Sequence, residues 1–170
     1  MRRGRSQSVK GTARVAHVDY APIAAPVLAA RENVRQGIPL ESYSRLMIIQ
    51  AWRVISRPPH DLPLAVCDSS SVPESDLRFC QTDYNRDDSD VFDGRFWTAS
   101  PHHSPQHRWY YFPDMSEQAL LLWNGYDSEQ KCYAPHVDFD NRRAFPIRRL
   151  VRVSKLAFSC TTVEWSRSSL

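Results

Sequence analysis

The distribution of proline constrains this chain most. Twelve prolines run from Pro22 to Pro146, against only five glycines. Each proline removes a main-chain donor and breaks a helix interior. The segments between them predict many short elements and turns, not long helices. Aromatic residues make up 11% of the chain, and they favour pleated, half-buried surfaces. Several short strands with no βαβ alternation predict a β-sandwich or barrel. At 170 residues, one domain with a real core is expected.

The segmentation follows from local patterns. Residues 1–12 read as a basic, flexible tail, because Arg2, Arg3, Arg5, Lys10 and Arg14 all precede the first acid, Asp19. Ala13 to Tyr20 alternates as a strand, with Val15, His17 and Asp19 on one face. Pro22 to Gln36 predicts a helix closed by Gly37, and Ser42 to Arg45 a further turn of helix. Leu46 to Ile55 reads as a buried strand stopped by Pro58-Pro59, and Leu62 to Cys67 as a short strand ending in the turn-prone Asp68-Ser69-Ser70-Ser71. The polar stretch Ser75 to Pro105, with Asp83, Asp87, Asp88, Asp90 and Asp93, reads as a solvated loop; it lacks the spacing and closing glutamate of an EF-hand. Trp109 to Phe112 forms an aromatic strand expected to line a core or an apolar pocket. Ala119 to Trp123 is a buried strand before an Asn124-Gly125 turn. Arg148 to Phe158 closes the domain, which is expected to span 13–160 before a tail at 161–170.

Two histidines carry the chemistry. In His17-Val18-Asp19, residues two apart on a strand point the same way, so both side chains can reach one ion. Two histidines and one carboxylate on one face of a metal, with other positions open, are what a mononuclear non-haem iron oxygenase requires. His136 is the expected third ligand. His136-Val137-Asp138 is itself a His-x-Asp pair, but no histidine follows it to complete a triad. His102, His103 and His107 sit in proline-bounded loop sequence and read as surface residues. Cys67, Cys80, Cys132 and Cys160 show no Cys-x-x-Cys spacing, which argues against a zinc ribbon or thioredoxin-type site. Reduced thiols in a cytoplasmic protein are the expectation. No run approaches the roughly 20 apolar residues of a membrane span. The basic rim Arg142, Arg143, Arg148, Arg149, Arg152 and Lys155 reads as a solvated strand edge, with no nucleic-acid role expected.

Five blocks occur in a recognisable order: Trp52-Arg53-Val54-Ile55; Leu62 to Val72; His107-Arg108-Trp109-Tyr110-Tyr111-Phe112-Pro113-Asp114-Met115; Tyr126-Asp127-Ser128; and Ala134-Pro135-His136. The series resembles the fungal AsaB-type hydroxylase/desaturase family, which includes a gibberellin desaturase and is related to the cephamycin methoxylase small subunit. The match runs from about His17 to Phe158. The resemblance implies a double-stranded β-helix (jelly-roll, cupin-like) with one or two short helices near the N-terminus. It further implies a non-haem Fe(II) and 2-oxoglutarate oxygenase that hydroxylates or desaturates a small organic molecule in fungal-type secondary metabolism, using O₂. Its Val-His-x-Asp element falls on Val15 to Asp19, and its Pro-His element on Pro135-His136. Arg148 takes the position of the arginine that anchors 2-oxoglutarate; a guanidinium suits two-point carboxylate binding. The chain departs from the family at Leu150, where a serine is usual, and at Ser154, where an arginine is common. It also begins close to His17, where family members carry a substantial preceding region. The rival expectation is therefore an inactive or truncated relative acting as a small-molecule or protein-binding module.

Overall fold

A computed structural model describes residues 13–40, 42–83, 95–130, 133–144 and 153–162. The first regular element is α1, Ala25–Arg35. Pro26 lies in its first turn, where a missing N–H costs nothing. It ends at Gln36, followed by Gly37 in the left-handed region at φ +70°. Ala25 and Ala29 are buried, and the helix packs against the first strand.

That strand, β1 (Arg45–Val54), buries every residue of one face, and Ala51 of the other. Leu46, Ile48, Gln50, Trp52 and Val54 are all buried. It is the middle of a three-stranded antiparallel sheet, flanked by β6 (Leu121–Asp127) and β8 (Val153–Thr162). A second antiparallel sheet has β2 (Leu64–Cys67) between β5 (Trp109–Tyr111) and β7 (His136–Asp138). The hairpin β3 (Leu77–Asp83) and β4 (Arg95–Pro101) forms a third unit. The segment at His17 and Val18 joins the last two, because His17 bridges His136 and Val18 bridges Ala99.

Alternation along β2 divides the core. Leu64 joins Trp52, Val54, Met115, Trp123 and Ala134 in a cluster between the two three-stranded sheets. Cys67, three residues on and therefore on the other face, joins Val18, Val72, Leu77, Ala99 and Tyr133 in a second cluster. Two sheets closing face to face on one core is the jelly-roll arrangement expected.

Four expectations need correction. Ser42 to Arg45 is not helical: Arg45 already belongs to β1, and its guanidinium pairs with Asp127 at the far end of β6. The polar stretch after Ser75 contains the β3–β4 hairpin, whose strands carry few buried positions and so show little hydrophobic signal. Asp87, Asp88, Asp90 and Asp93 lie outside the described residues. Asn124-Gly125 is not a turn but a β-bulge within β6: Ile48 pairs with Tyr126 and Ile49 with Asn124, leaving Gly125 as the extra residue. The aromatic strand sits at a sheet edge, and Trp109, Tyr110 and Phe112 are exposed. Only Tyr111 finds an aromatic partner there among the described residues, meeting Phe139 edge-on at 5.0 Å. At the C-terminal end, β8 extends through Thr162, two residues into the expected tail.

The sequence blocks Leu62–Val72 and His107–Met115 prove to be two halves of one structure. Asp68 accepts hydrogen bonds from the Ser70 amide (2.9 Å) and hydroxyl (2.7 Å), capping a 3-10 turn over Ser69–Ser71. Its other oxygen accepts from the Arg108 guanidinium at 2.8 Å. The Arg108 amide donates to the Ser71 hydroxyl at 2.9 Å. The Arg108 guanidinium and the Ser70 donors hold the Asp68 carboxyl down at about 2.

Two outcomes follow from this packing. Trp52→Ala removes one of the two tryptophans of the inter-sheet cluster and should cost about 3–5 kcal/mol in chemical denaturation. Asp127 is held at about 2, mainly by Arg45 and then by the Glu129 and Gln130 amides. A depressed carboxylate contributes stability above its unfolded value near 4 and loses it as pH falls towards 2. Urea midpoints measured from pH 5 to 2 should show a loss about 1–2 kcal/mol larger in wild type than in Asp127→Asn, the remainder coming from other depressed carboxylates such as Asp68.

Candidate metal centre

The centre is built on one reciprocal main-chain pair. The His17 amide donates to the His136 carbonyl at 3.1 Å, and the His136 amide returns the bond at 3.0 Å. Residues exchanging both bonds stand directly opposite, with side chains on the same face. Their imidazole centroids lie 4.4 Å apart. Asp19, two residues beyond His17, presents its carboxylate between them. His17 Nε2 is 3.3 Å from Asp19 Oδ1, and His136 Nε2 is 3.4 Å from Asp19 Oδ2.

The second nitrogen of each ring is committed to the main chain. His17 Nδ1 lies 2.7 Å from the Val15 carbonyl, and His136 Nδ1 lies 3.3 Å from the Ala134 carbonyl. A carbonyl only accepts, so each Nδ1 carries the proton in these bonds, and each Nε2 is the ring atom turned towards the carboxylate. Ring nitrogens held this way are the usual support of metal-ligating histidines. His136 is almost fully buried, whereas the His17 and Asp19 side chains keep about a fifth of their surface exposed. The cluster is walled on one side and open on the other.

The opposing sheet completes the surroundings. Trp123 of β6 places its ring 5.1 Å from that of His136. Gln50 of β1 donates its side-chain amide to Asp19 Oδ2. Gln50 and Trp123 are register partners, so they project from one row of that sheet.

The structure thus brings His17, Asp19 and His136 together, with one donor atom of each within 4.8 Å of the others. Asp138, the acid of the second His-x-Asp pair, is not part of the group. Neighbouring ligands on a first-row metal, at bond lengths of roughly 2.1 Å, lie about 3 Å apart. The observed separations are close to that spacing, and two imidazoles with one carboxylate match the facial iron set. The donor set therefore fits a mononuclear ion with open positions. Arg148 lies outside the described residues.

Gln50 was not legible as a site residue. The available signal was a single amide inside the apolar run Leu46 to Trp52. The histidine cluster also needs correction at one member. His107 is buried, with Nε2 2.8 Å from Asp76 Oδ2, so it braces the start of β3. His102 and His103 are exposed, as expected.

Comparisons with known proteins bear on the family and the fold. A family model described as an oxidoreductase/YMDC permease-like domain matches residues 1–155. No helix among the described residues is long and apolar enough to cross a membrane. Hydroxylase/desaturase efuI of Hormonema carpetanum is 34% identical over 129 residues, covering 68% of this chain and 41% of that protein. Alpha-ketoglutarate-dependent dioxygenase tstK of Talaromyces stipitatus is 27% identical over 119 residues, covering 70% of this chain and 40% of that protein. The chain thus spans about two fifths of the length of these two relatives. Among solved structures, the iron and alpha-ketoglutarate-dependent endoperoxidase NvfI superposes with a TM-score of 0.71 at 23% identity, covering 94% of this chain and 59% of that one. That likeness shows the jelly-roll fold.

Proposed function

This chain belongs to the oxidoreductase/YMDC permease-like family, together with fungal hydroxylase/desaturases, and from that membership we propose that it is a non-haem Fe(II), 2-oxoglutarate-dependent oxygenase acting on a small organic molecule of secondary metabolism. The observation that carries the reading is the convergence of His17, Asp19 and His136 within 4.8 Å. These three residues would hold the iron. With iron, 2-oxoglutarate and O₂ bound, such a centre couples oxidative decarboxylation of the co-substrate to removal of hydrogen from a substrate C–H bond.

The chain's own contribution is geometric. The paired main-chain bonds of His17 and His136 keep the two imidazoles on one face before any ligand arrives. The Val15 and Ala134 carbonyls hold the rings in the ligating tautomer. Held by these three residues on one side, an iron ion would keep positions open to co-substrate and O₂. Trp123, packed against His136 on the buried side, keeps water from that flank, so ligands enter past the more exposed His17 and Asp19. Arg148 is our choice for the partner of the 2-oxoglutarate distal carboxylate, on its match to the family's arginine position. Cys67 and Cys80 are free thiols, which suits a reducing, cytoplasmic compartment.

Anaerobic titration with Fe(II) and 2-oxoglutarate tests the proposal through the weak metal-to-ligand charge-transfer band in the visible. Wild type should develop the band, and His17→Ala and His136→Ala should lose it. Arg148→Ala should recover it only at about ten- to a hundredfold higher 2-oxoglutarate, the loss expected for a charged hydrogen bond. A folded wild type without the band would overturn the oxygenase reading in favour of a binding module.

A further inference from the structure

Gln50 is the anomaly of β1. It is 1% exposed on a face otherwise made of Leu46, Ile48, Trp52 and Val54. Burying an amide is costly unless its groups are bonded, and an apolar residue would pack there at no such cost. Its side-chain nitrogen donates across the inter-sheet space to Asp19 Oδ2. That bond spans the domain, from the middle of one sheet to the segment bridging the other.

A second observation concerns the residue beneath it. A Cβ on Gly125 would come within 2.5 Å of Gln50 Oε1 and 2.9 Å of its Cδ. No side chain fits there while Gln50 holds Asp19. Gly125 is also the extra residue of the β6 bulge, and its backbone is not in the left-handed region that would itself require glycine. Space explains this glycine, and Gln50 fills that space. A bulge that re-aims side chains beside a site is a recurrent device of sheets.

We propose that Gln50 is a positioning residue for the metal-binding carboxylate, with Gly125 as the gap that seats it. The amide engages Oδ2 and so offers Oδ1 as the single oxygen for the ion. A carboxylate tethered this way binds through one oxygen, and a coordination position that a second oxygen would occupy stays open for co-substrate. The inference rests on the assignment of His17, Asp19 and His136 as ligands.

Co(II) titration of the metal-free protein tests it without turnover, reading affinity and the visible band shape that reports coordination number. Wild type should bind one Co(II), and His136→Ala should abolish binding. Gln50→Met keeps the side chain's size but removes its donor. Gly125→Ala leaves Gln50 in place but displaces its amide. Both should weaken Co(II) about tenfold or more, as loss of a ligand's supporting hydrogen bond does, and both should alter the band shape. A purely structural role would lower the thermal midpoint and leave the band shape unchanged. Wild-type affinity and band shape in Gln50→Met would overturn the positioning role and leave the ligand assignment standing. Absence of Co(II) binding in wild type would remove both. Should Gln50→Met fail to fold, Gly125→Ala decides alone, and wild-type behaviour there would overturn the proposal.

Discussion

The pair of main-chain bonds between His17 and His136 is the contact on which the site depends. It joins a segment near the N-terminus to the start of β7. Such a long loop closure carries an entropic cost that local contacts do not. That cost is offset by the Val18 bridge to Ala99 and by burial of Val18 in the second core cluster. The bridge and the cluster act on Val18, which lies between the two candidate ligands His17 and Asp19. Val18 faces the core while His17 and Asp19, on either side of it, face the opposite way. One alternating tripeptide therefore anchors itself and supplies two donors at once.

The second sheet reaches the same point from the other direction. β1 contributes Trp52 and Val54 to the inter-sheet cluster, and Gln50 lies on the same row of side chains. The packing that holds the two sheets at a fixed separation thereby sets the distance between Gln50 and Asp19. Strain or slippage in β1 would be felt at the carboxylate, because a shift of one residue turns the whole row away from the core. Arg45 guards against that slip at the other end of the strand, where it grips Asp127 of β6.

Strands built on apolar runs were legible: β1 and β2 fall where those runs predict them. So was α1, from Gly37 after its end, although it begins at Ala25, three residues after the expected Pro22. The β3–β4 hairpin was not, because Leu77 supplies nearly all of the inward apolar signal in β3 outside the turn itself. Asn124-Gly125 misled for a different reason. A glycine needed for a turn and a glycine needed for space look alike in sequence, and only the position of Gln50 separates them. The His17, Asp19 and His136 group was legible because a period of two and chain order need no tertiary information. Its support was hidden, since hydrogen bonds from Nδ1 to main-chain carbonyls leave no trace in residue identity.

The polar knot of the Leu62–Val72 and His107–Met115 blocks and the candidate ligand group occupy different parts of the molecule, and their separation has a physical reason. Asp68, Ser70, Ser71 and Arg108 form a closed polar knot at the end of β2, away from the inter-sheet space. Each partner there depends on the others, so the four residues are recognisable as a set. The knot extends the β2–β5 pairing past Cys67 and Trp109 through the Asp68 amide and the Arg108 carbonyl. On its other edge β2 pairs with β7 and sets the Val66 to His136 register. A motif apart from the candidate ligands thus fixes the strand on which the most buried of them, His136, is aligned. Its contribution to the candidate site is to hold that register.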